Sequence, residues 1–255
     1  MTAEASEFLF NLDPQMLFDS ILLIISMFVL CFFMSYLFFK PAKKLLTDRQ
    51  EKIKNDLDEA ATDKESAKAL KNEYDEKIRD IKKELRASMN GILSAKMREV
   101  GMPYKLCFGV ELPRLQSIAQ EFTPDHQLAQ QLWHENIREC KILATMLMPV
   151  EHFYPEVADI WVSETPAAEI AQIAVMQLFS RLPYAAERAF EWIASEHEMA
   201  QLYGFLILAR LLGRGEQVNP RSLDELRDQM AAIAPTASLP LRKAIMAVEN
   251  EIALS

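Results

Sequence analysis

The chain has 255 residues, half of them hydrophobic, with only 6 Gly and 12 Pro. Its apolar positions recur at helical intervals, which excludes a β-sandwich, collagen and a disordered polymer and favours an all-α protein. The net charge is −9, and from residue 86 onward 15 Lys+Arg face 21 Asp+Glu, so no overall basic field is available for nucleic acid.

The first predicted element is a transmembrane helix. Residues 20–39 carry no charge, and twenty helical residues span about 30 Å, the thickness of the hydrocarbon core of a bilayer. A cleaved signal peptide would have basic residues before a shorter apolar run, whereas here acidic residues precede the run and Lys40, Lys43 and Lys44 follow it. The positive-inside rule then places the N-terminus outside and the rest of the chain in the cytoplasm, so we expect residues 1–44 to form a single-pass anchor.

The second predicted element, residues 45–84, is a long charged stalk helix. Residues 45–85 hold 10 Lys+Arg and 12 Asp+Glu and contain neither Gly nor Pro. Its sparse apolar residues are spaced by seven and by eleven, and so narrow a stripe predicts pairing with a second helix in a coiled-coil homodimer of undetermined supercoil hand. The alternative is a solvated helix with i,i+4 ion pairs such as Glu73 with Lys77.

The N-terminal part resembles subunit b of bacterial F-type ATP synthases over about residues 8–84. The resemblance rests on the membrane helix, on Pro41 at its exit and on the stretch DRQEKI, Asp48–Ile53, that opens the charged helix. It implies the bacterial inner membrane, dimerisation, contact with the membrane-sector subunits of the synthase and a part in the stator of a proton-transporting motor. That family has a stalk about twice as long, which ends in a segment that contacts the catalytic head, and no such continuation follows Glu84.

The third predicted element, residues 85–255, is a helical domain. Pro and Gly separate apolar blocks of helical length, the first of them predicted as a helix over 85–100, and Thr123 and Thr165 are placed to cap helices that begin at the prolines after them. Similar apolar-faced helices recur every thirty to forty residues, which predicts a HEAT-like α-solenoid. The alternative is a helical bundle without repeats.

This domain resembles the DNA alkylation repair family of AlkD-like HEAT-repeat glycosylases over about residues 84–254. Three segments carry the resemblance: GMPYKLCFGVELPRLQSIAQE, LWHENIRECKILA and LFSRLPYAAERAFEWIAS. It implies a concave groove that binds DNA, aromatic walls for an alkylated base and a carboxylate that stabilises the sugar cation as the base departs.

The catalytic positions of that family are not matched. Its aspartate follows a tryptophan motif on the helix that here begins near Thr165, where only Glu169 offers a carboxylate; its phosphate-binding arginine falls near Leu202 and its second tryptophan near Ala247. We therefore expect no glycosylase activity. Glu169 stays the one catalytic candidate, against the alternative of a solvated acid in the first turn of a helix.

Other candidate groups are few. Trp133, Trp161 and Trp192 have apolar helical spacing and are predicted to be core residues. The four histidines and three cysteines lack metal-ligand or disulfide spacing, so neither a metal site nor a cofactor is expected. A concave face could still gather cations that bind nucleic acid, namely Arg138, Arg181, Arg210, Arg214, Arg242 and Lys243.

Three interpretations follow from the two resemblances. The chain is a membrane-anchored b-like stalk that carries a HEAT scaffold without glycosylase activity, or it is a functional DNA-binding protein and alkylated-base glycosylase. The third is an artificial or mis-assembled fusion of two unrelated proteins, since the two resemblances abut at residue 84 without a linker.

Overall fold

A computed structural model describes residues 14–216 and 219–254. Within these ranges the protein is all-α, with no β-strand, which confirms the predicted fold class. The chain divides into two compact units, Met1–Leu70 and Lys71–Ser255.

The first unit contains the predicted apolar helix. Helix α1 covers Pro14–Met34, a π-helical turn covers Ser35–Phe39, and helix α2 covers Lys40–Ala87. Within this stretch Met16–Leu37 is long and apolar enough to cross a membrane, with a mean hydropathy of 2.5 and none of its residues buried. The Ser20 hydroxyl donates to the Met16 carbonyl at 2.8 Å, so this polar group has a partner without water, as a lipid environment requires.

Helix α2 is long because its 48 consecutive residues include no glycine and only one proline, Pro41, the second residue after the π-helical turn Ser35–Phe39. Three of its apolar residues in the first unit are exposed, namely Ile53, Leu57 and Leu70. The expected i,i+4 ion pair of Glu73 and Lys77 is present at 2.7 Å.

The last turns of α2 pack inside the second unit. Their inward side chains, spaced by three and four residues, are all buried: Tyr74, Ile78, Ile81 and Leu85. The Tyr74 hydroxyl donates to Asp125 at 3.2 Å, and Lys82 pairs with Glu135 at 2.7 Å. Packing of the helical unit therefore starts before residue 85.

The helix predicted over 85–100 is wrong, because the chain leaves the helical conformation after Ala87. Helix α3 begins anew at Gly91 and ends at Glu99, with the Asn90 side chain accepting a hydrogen bond from the Leu93 N–H at 3.1 Å. An asparagine at this position satisfies one of the free N–H groups of the new helix.

The remaining helices form the body of the second unit. They are α4 Leu112–Gln120, α5 His126–His134, α6 Arg138–Leu147, α7 Pro155–Ser163, α8 Ala168–Gln177, α9 Ala185–Ile193, α10 Glu198–Leu212, α11 Pro220–Ile233 and α12 Leu239–Leu254. Helices α4, α6, α8, α10 and α12 form one row, each packed on the next, with α5 packed on α6 and α9 on α10.

The two predicted threonine caps are wrong. Asp125, not Thr123, caps α5 by accepting from the Leu128 N–H at 2.8 Å. Helix α8 begins at Ala168 without a side-chain cap, and Thr165 is buried, where its hydroxyl donates to the Trp161 carbonyl and accepts from Tyr203. A buried acceptor for the tyrosine hydroxyl outweighs the local capping preference.

Repetition shows in the hydrogen bonds between successive repeats, because many of them join residues 31 positions apart. Such pairs are Lys105 and Asn136, Phe108 and Glu139, Gln130 and Trp161, Trp133 and Glu164, Arg138 and Glu169, and Phe153 and Tyr184. Equivalent positions of neighbouring repeats thus bond to each other, which confirms the HEAT-like solenoid.

Candidate functional site

The candidate site is a buried ion-paired network at the start of α6. Arg138 and Glu139 are consecutive residues with side chains 6% and 0% exposed, and one guanidinium nitrogen of Arg138 lies 3.2 Å from the Glu139 carboxylate. The Arg138 Nε lies 3.1 Å from both carboxylate oxygens of Glu169, one repeat further along the chain. The result is a Glu–Arg–Glu triad inside the repeat stack.

The carboxylate of Glu139 is held by a short backbone segment. It accepts hydrogen bonds from the N–H groups of Phe108 at 3.1 Å, Gly109 at 2.9 Å and Val110 at 3.3 Å. The Val110 carbonyl in turn accepts from Arg138 at 3.2 Å. Successive N–H groups that converge on one point form an anion-binding concavity, and here the anion is a side chain of the protein itself.

The segment 107–110 is also fixed from its other side, by the start of α3. The Ser94 hydroxyl donates to the Cys107 carbonyl at 2.7 Å, and the Asn90 N–H donates to the Phe108 carbonyl at 3.0 Å. Gly109 has φ +70, and a Cβ on it would lie 2.5 Å from the Asn90 carbonyl oxygen. Only glycine fits this position.

Charge–charge contact governs the ionisation of the triad. Burial disfavours the Arg138 cation, but the hydrogen bonds and the negative charge of Glu169, together with the charge of Glu139, raise the pKa of Arg138 above its ordinary value. The guanidinium is therefore always charged. It acts as the internal counter-ion of two carboxylates.

Glu169, the sequence candidate for a catalytic acid, lies in this network. Its side chain is 26% exposed, and both of its oxygens accept from Arg138. Arg138 was predicted among the nucleic-acid-binding candidates. Its side chain points inward and is part of the triad, so it is not exposed on the surface.

The other predicted cations are spread over the end of the repeat stack, and all five are exposed. Arg214 donates to the carbonyl of Ser180, the residue before Arg181, at 2.7 Å, and Arg181 donates to the Gln177 carbonyl at 3.3 Å. Arg210 lines a shallow groove between α8 and α10. Arg242 and Lys243 lie on α12, where Arg242 donates to the Ala237 carbonyl at 3.1 Å.

The tryptophans lie in the hydrophobic core, as the sequence predicted. Trp133 and Trp161 are stacked, with ring centroids 4.1 Å apart and an interplanar angle of 1°. The Trp133 indole N–H donates to Glu164 at 3.0 Å, and that of Trp192 donates to Asp159 at 2.8 Å. The rings pack on neighbouring rings and their polar atoms have partners, so their faces are not available to stack on a base.

A buried lysine accompanies the stacked rings. Lys141 donates to the Trp133 carbonyl at 2.7 Å and lies 4.6 Å from the centroid of the Trp133 ring. Burial lowers its pKa, which the negative charge of Glu164 partly offsets. The interaction of the cation with the ring and the carbonyl keeps this charge inside the core.

Sequence reasoning missed Glu139, Lys141 and the 107–110 segment as a connected set. One signal was present: three charged residues, Arg138, Glu139 and Lys141, directly precede the apolar residues of α6, and charges that become buried beside such residues are found paired. Within the described residues no group of three or more His, Cys, Asp and Glu side chains could hold a metal ion. Burial raises the pKa of the Cys107 thiol to about 11 and that of Cys140 to about 12.

These features define a HEAT-like helical-repeat protein with an apolar N-terminal helix, and the comparisons identify its family. Residues 81–245 match the family described as DNA alkylation repair enzyme, so the chain belongs to that family. A solved structure has the same fold, with a TM-score of 0.59, 18% identity and coverage of 69% of this chain and 76% of the other. It is described as a new family of proteins related to the HEAT-like repeat DNA glycosylases with affinity for branched DNA structures.

The N-terminal part matches a second family. Residues 20–90 match the family described as ATP synthase B/B' CF(0). Subunit b of Lachnoclostridium phytofermentans is 42% identical over 77 residues, which are 30% of this chain and 41% of that protein. The sodium-ion-specific subunit b of Clostridium paradoxum is 43% identical over 61 residues, 24% of this chain and 36% of that protein. The chain thus spans about two fifths of the length of these relatives. Together the two family matches show an ATP synthase b-like N-terminus joined to a DNA alkylation repair-like HEAT domain.

Proposed function

We propose that the protein is a membrane-anchored scaffold, in which the b-like segment inserts into the bacterial inner membrane and the HEAT-like domain binds a partner without excising bases. The basic residues Lys40, Lys43 and Lys44 follow the apolar helix, which favours an outside N-terminus and a cytoplasmic HEAT-like domain.

The observation that carries this proposal is the pairing of Glu169 with Arg138. A carboxylate that stabilises a sugar cation must direct its negative charge at the reacting sugar, and the charge of Glu169 already faces a permanent cation at 3.1 Å. The aromatic rings that a base-holding wall would need fill the core instead: Trp133 is 0% and Trp161 is 1% exposed. The domain therefore has the fold of a repair enzyme, while Glu169 is paired with Arg138 and the tryptophan rings pack in the core.

A glycosylase assay tests the proposal. The purified full chain, incubated with duplex DNA that contains N-methylated purines, should release no base above the spontaneous rate, because the charge of Glu169 is already paired with Arg138. A known glycosylase on the same substrate is the positive control. Base release that disappears in the Glu169→Gln variant would contradict the scaffold function, since it would assign catalysis to Glu169.

The b-like segment also supports association within the membrane. Ile53, Leu57 and Leu70 are 58%, 64% and 50% exposed in the structure of the single chain, and a second stalk helix would cover such a stripe. We propose a homodimer through this stripe and contact with membrane-sector subunits of the synthase. A stalk this much shorter than that of the relatives is not expected to couple rotation to synthesis.

A second candidate function is binding of DNA without excision. The affinity of the structurally similar protein for branched DNA favours it, as do the exposed cations Arg181, Arg210, Arg242 and Lys243 near the end of the repeat stack.

Salt dependence tests this second function. Binding of the full chain to a four-way DNA junction should weaken steeply with added salt, and Arg210→Glu should reduce the log–log slope by about 0.9 for each phosphate that the variant no longer neutralises. The control is Arg221→Glu, an exposed charge reversal on α11, which should leave the slope unchanged. Binding that is too weak to measure at low salt, or equal slopes in both variants, would refute the function.

A further inference from the structure

Positive charge in the helical unit is concentrated near its beginning. Residues 86–106 hold four Lys+Arg and one Asp+Glu, a net charge of +3, whereas residues 107–255 hold eleven against twenty, a net charge of −9. A short cationic segment on an acidic domain attracts anionic partners to that segment alone.

The same segment exposes apolar side chains. Met89 is 54%, Ile92 75%, Val100 79% and Leu106 42% exposed. Single exposed apolar residues are ordinary, but four large ones within 18 residues are a local concentration of exposed apolar side chains, and apolar surface of this kind marks protein interfaces.

A groove of about 160 Å³ lies in this segment, and two of the four exposed residues, Met89 and Leu106, line it. Its apolar wall comes from Met89, Met97, Met102 and Leu106, and Arg98 and Lys105 contribute cationic side chains to the lining. We call this the docking groove. Methionine side chains are flexible and polarisable and adapt to varied apolar partners, so they are over-represented at peptide-binding surfaces.

The backbone under the docking groove is fixed before any partner arrives. The bond of Ser94 to the Cys107 carbonyl at 2.7 Å joins its two sides, and the Lys105 N–H donates to the Asn136 side chain at 3.3 Å. The groove therefore combines a rigid floor with adaptable side chains, which lowers the entropic cost of binding.

We infer that the docking groove binds an acidic amphipathic helix of a protein partner. Leucine-like side chains of such a helix would cover the methionine wall, and its carboxylates would meet Arg98 and Lys105, as in helix-in-groove recognition. Duplex nucleic acid fits less well, because its bases are stacked inside and its outer phosphates and sugars offer nothing to cover an apolar wall of three methionines and a leucine. The inference rests on the proposed scaffold function and names the chemistry of the partner.

Fluorescence anisotropy with a defined probe tests the inference. The probe is a labelled 18-residue helical peptide of Leu, Glu and Ala with Leu at i, i+3 and i+4 spacing. It is titrated with the full chain in detergent, with protein-free micelles as the blank. Two comparison peptides have either every Glu replaced by Lys or the same composition with the leucines spread around the helix. The acidic amphipathic peptide should bind at least tenfold more tightly than either.

Two pairs of variants locate the binding on the chain. Met89→Glu and Lys105→Glu should each weaken binding at least tenfold. Met246→Glu on α12 and Arg221→Glu on α11 are the controls, because Met246 is 55% exposed against 54% for Met89 and Arg221 is an exposed cation; both should bind within twofold of the wild type. Circular dichroism checks that all four variants fold.

Three results would overturn the inference: equal binding of the basic or the spread peptide, equal effects of the groove variants and their controls, or displacement of the peptide by duplex DNA or by anionic lipid vesicles. The last result would assign the groove to nucleic acid or to lipid. Loss of peptide binding leaves the scaffold function intact, whereas base release in the glycosylase assay refutes the scaffold function, so the two failures are distinguishable.

Discussion

Replacing Gly109 by Ala should destabilise the helical unit by about 2–5 kcal/mol, since a left-handed residue with a Cβ costs roughly 1–2 kcal/mol and overpacking about 1–3 kcal/mol more. The new Cβ would lie 2.5 Å from the Asn90 carbonyl oxygen and 2.7 Å from the Ser94 nitrogen. Both are backbone atoms, so they cannot move without shifting α3. Any such shift also displaces the Gly109 N–H from the Glu139 carboxylate.

Tryptophan fluorescence during denaturant unfolding of the full chain measures this loss. The protein has three tryptophans, and all three lie in the helical unit, so the signal reports this unit and not the membrane helix. Gly101→Ala is the control, because Gly101 has φ +76 but nothing within 4 Å of a built Cβ. That variant should lose only about 1–2 kcal/mol. Equal losses in the two variants would show that the close approach at Gly109 has no energetic role.

Glu139→Ala should cost about 3–5 kcal/mol, because removal of one partner of a buried ion pair leaves the other charge uncompensated. Three backbone N–H groups, those of residues 108 to 110, would lose their acceptor as well. Each of these groups is buried where water does not replace the carboxylate easily.

The same unfolding measurement tests this prediction, with Glu121→Ala as the control. Glu121 is exposed at the end of α4, and surface substitutions of this kind change stability by about 0.5 kcal/mol or less. If the Glu139→Ala variant unfolded at nearly the same denaturant concentration as the Glu121→Ala variant, the triad would have no stabilising role.

The sequence predicts which segments form helices better than it predicts what those helices pack against. An uncharged run of twenty residues and a charged run without glycine determine a membrane-length helix and a stalk by composition alone. The stripe at Tyr74, Ile78, Ile81 and Leu85 has the same spacing as a coiled-coil seam, so its pattern does not indicate that it packs into the second unit. The spacing of the apolar residues is the same whether the stripe packs against its own domain or against a second chain.

The candidate site shows the same limit. Arg138 and Glu139 are adjacent charges at the start of α6, directly before a mainly apolar run, which predicts burial with partners but not which partners. Their contacts come from segment 107–110 and from Glu169, some thirty residues away on either side. Intervals of thirty to forty residues predicted the solenoid, but only a period fixed at 31 would have paired Arg138 with Glu169.

The 31-residue spacing of the hydrogen bonds constrains how this gene can change in length. A single codon deleted or inserted between residues 139 and 153 would change the separation of the pairs that span it, among them Trp133 with Glu164 and Arg138 with Glu169, so several of these bonds would be affected at once. Pairs that lie wholly after the change, such as Phe153 with Tyr184, would keep their separation, because both residues shift together.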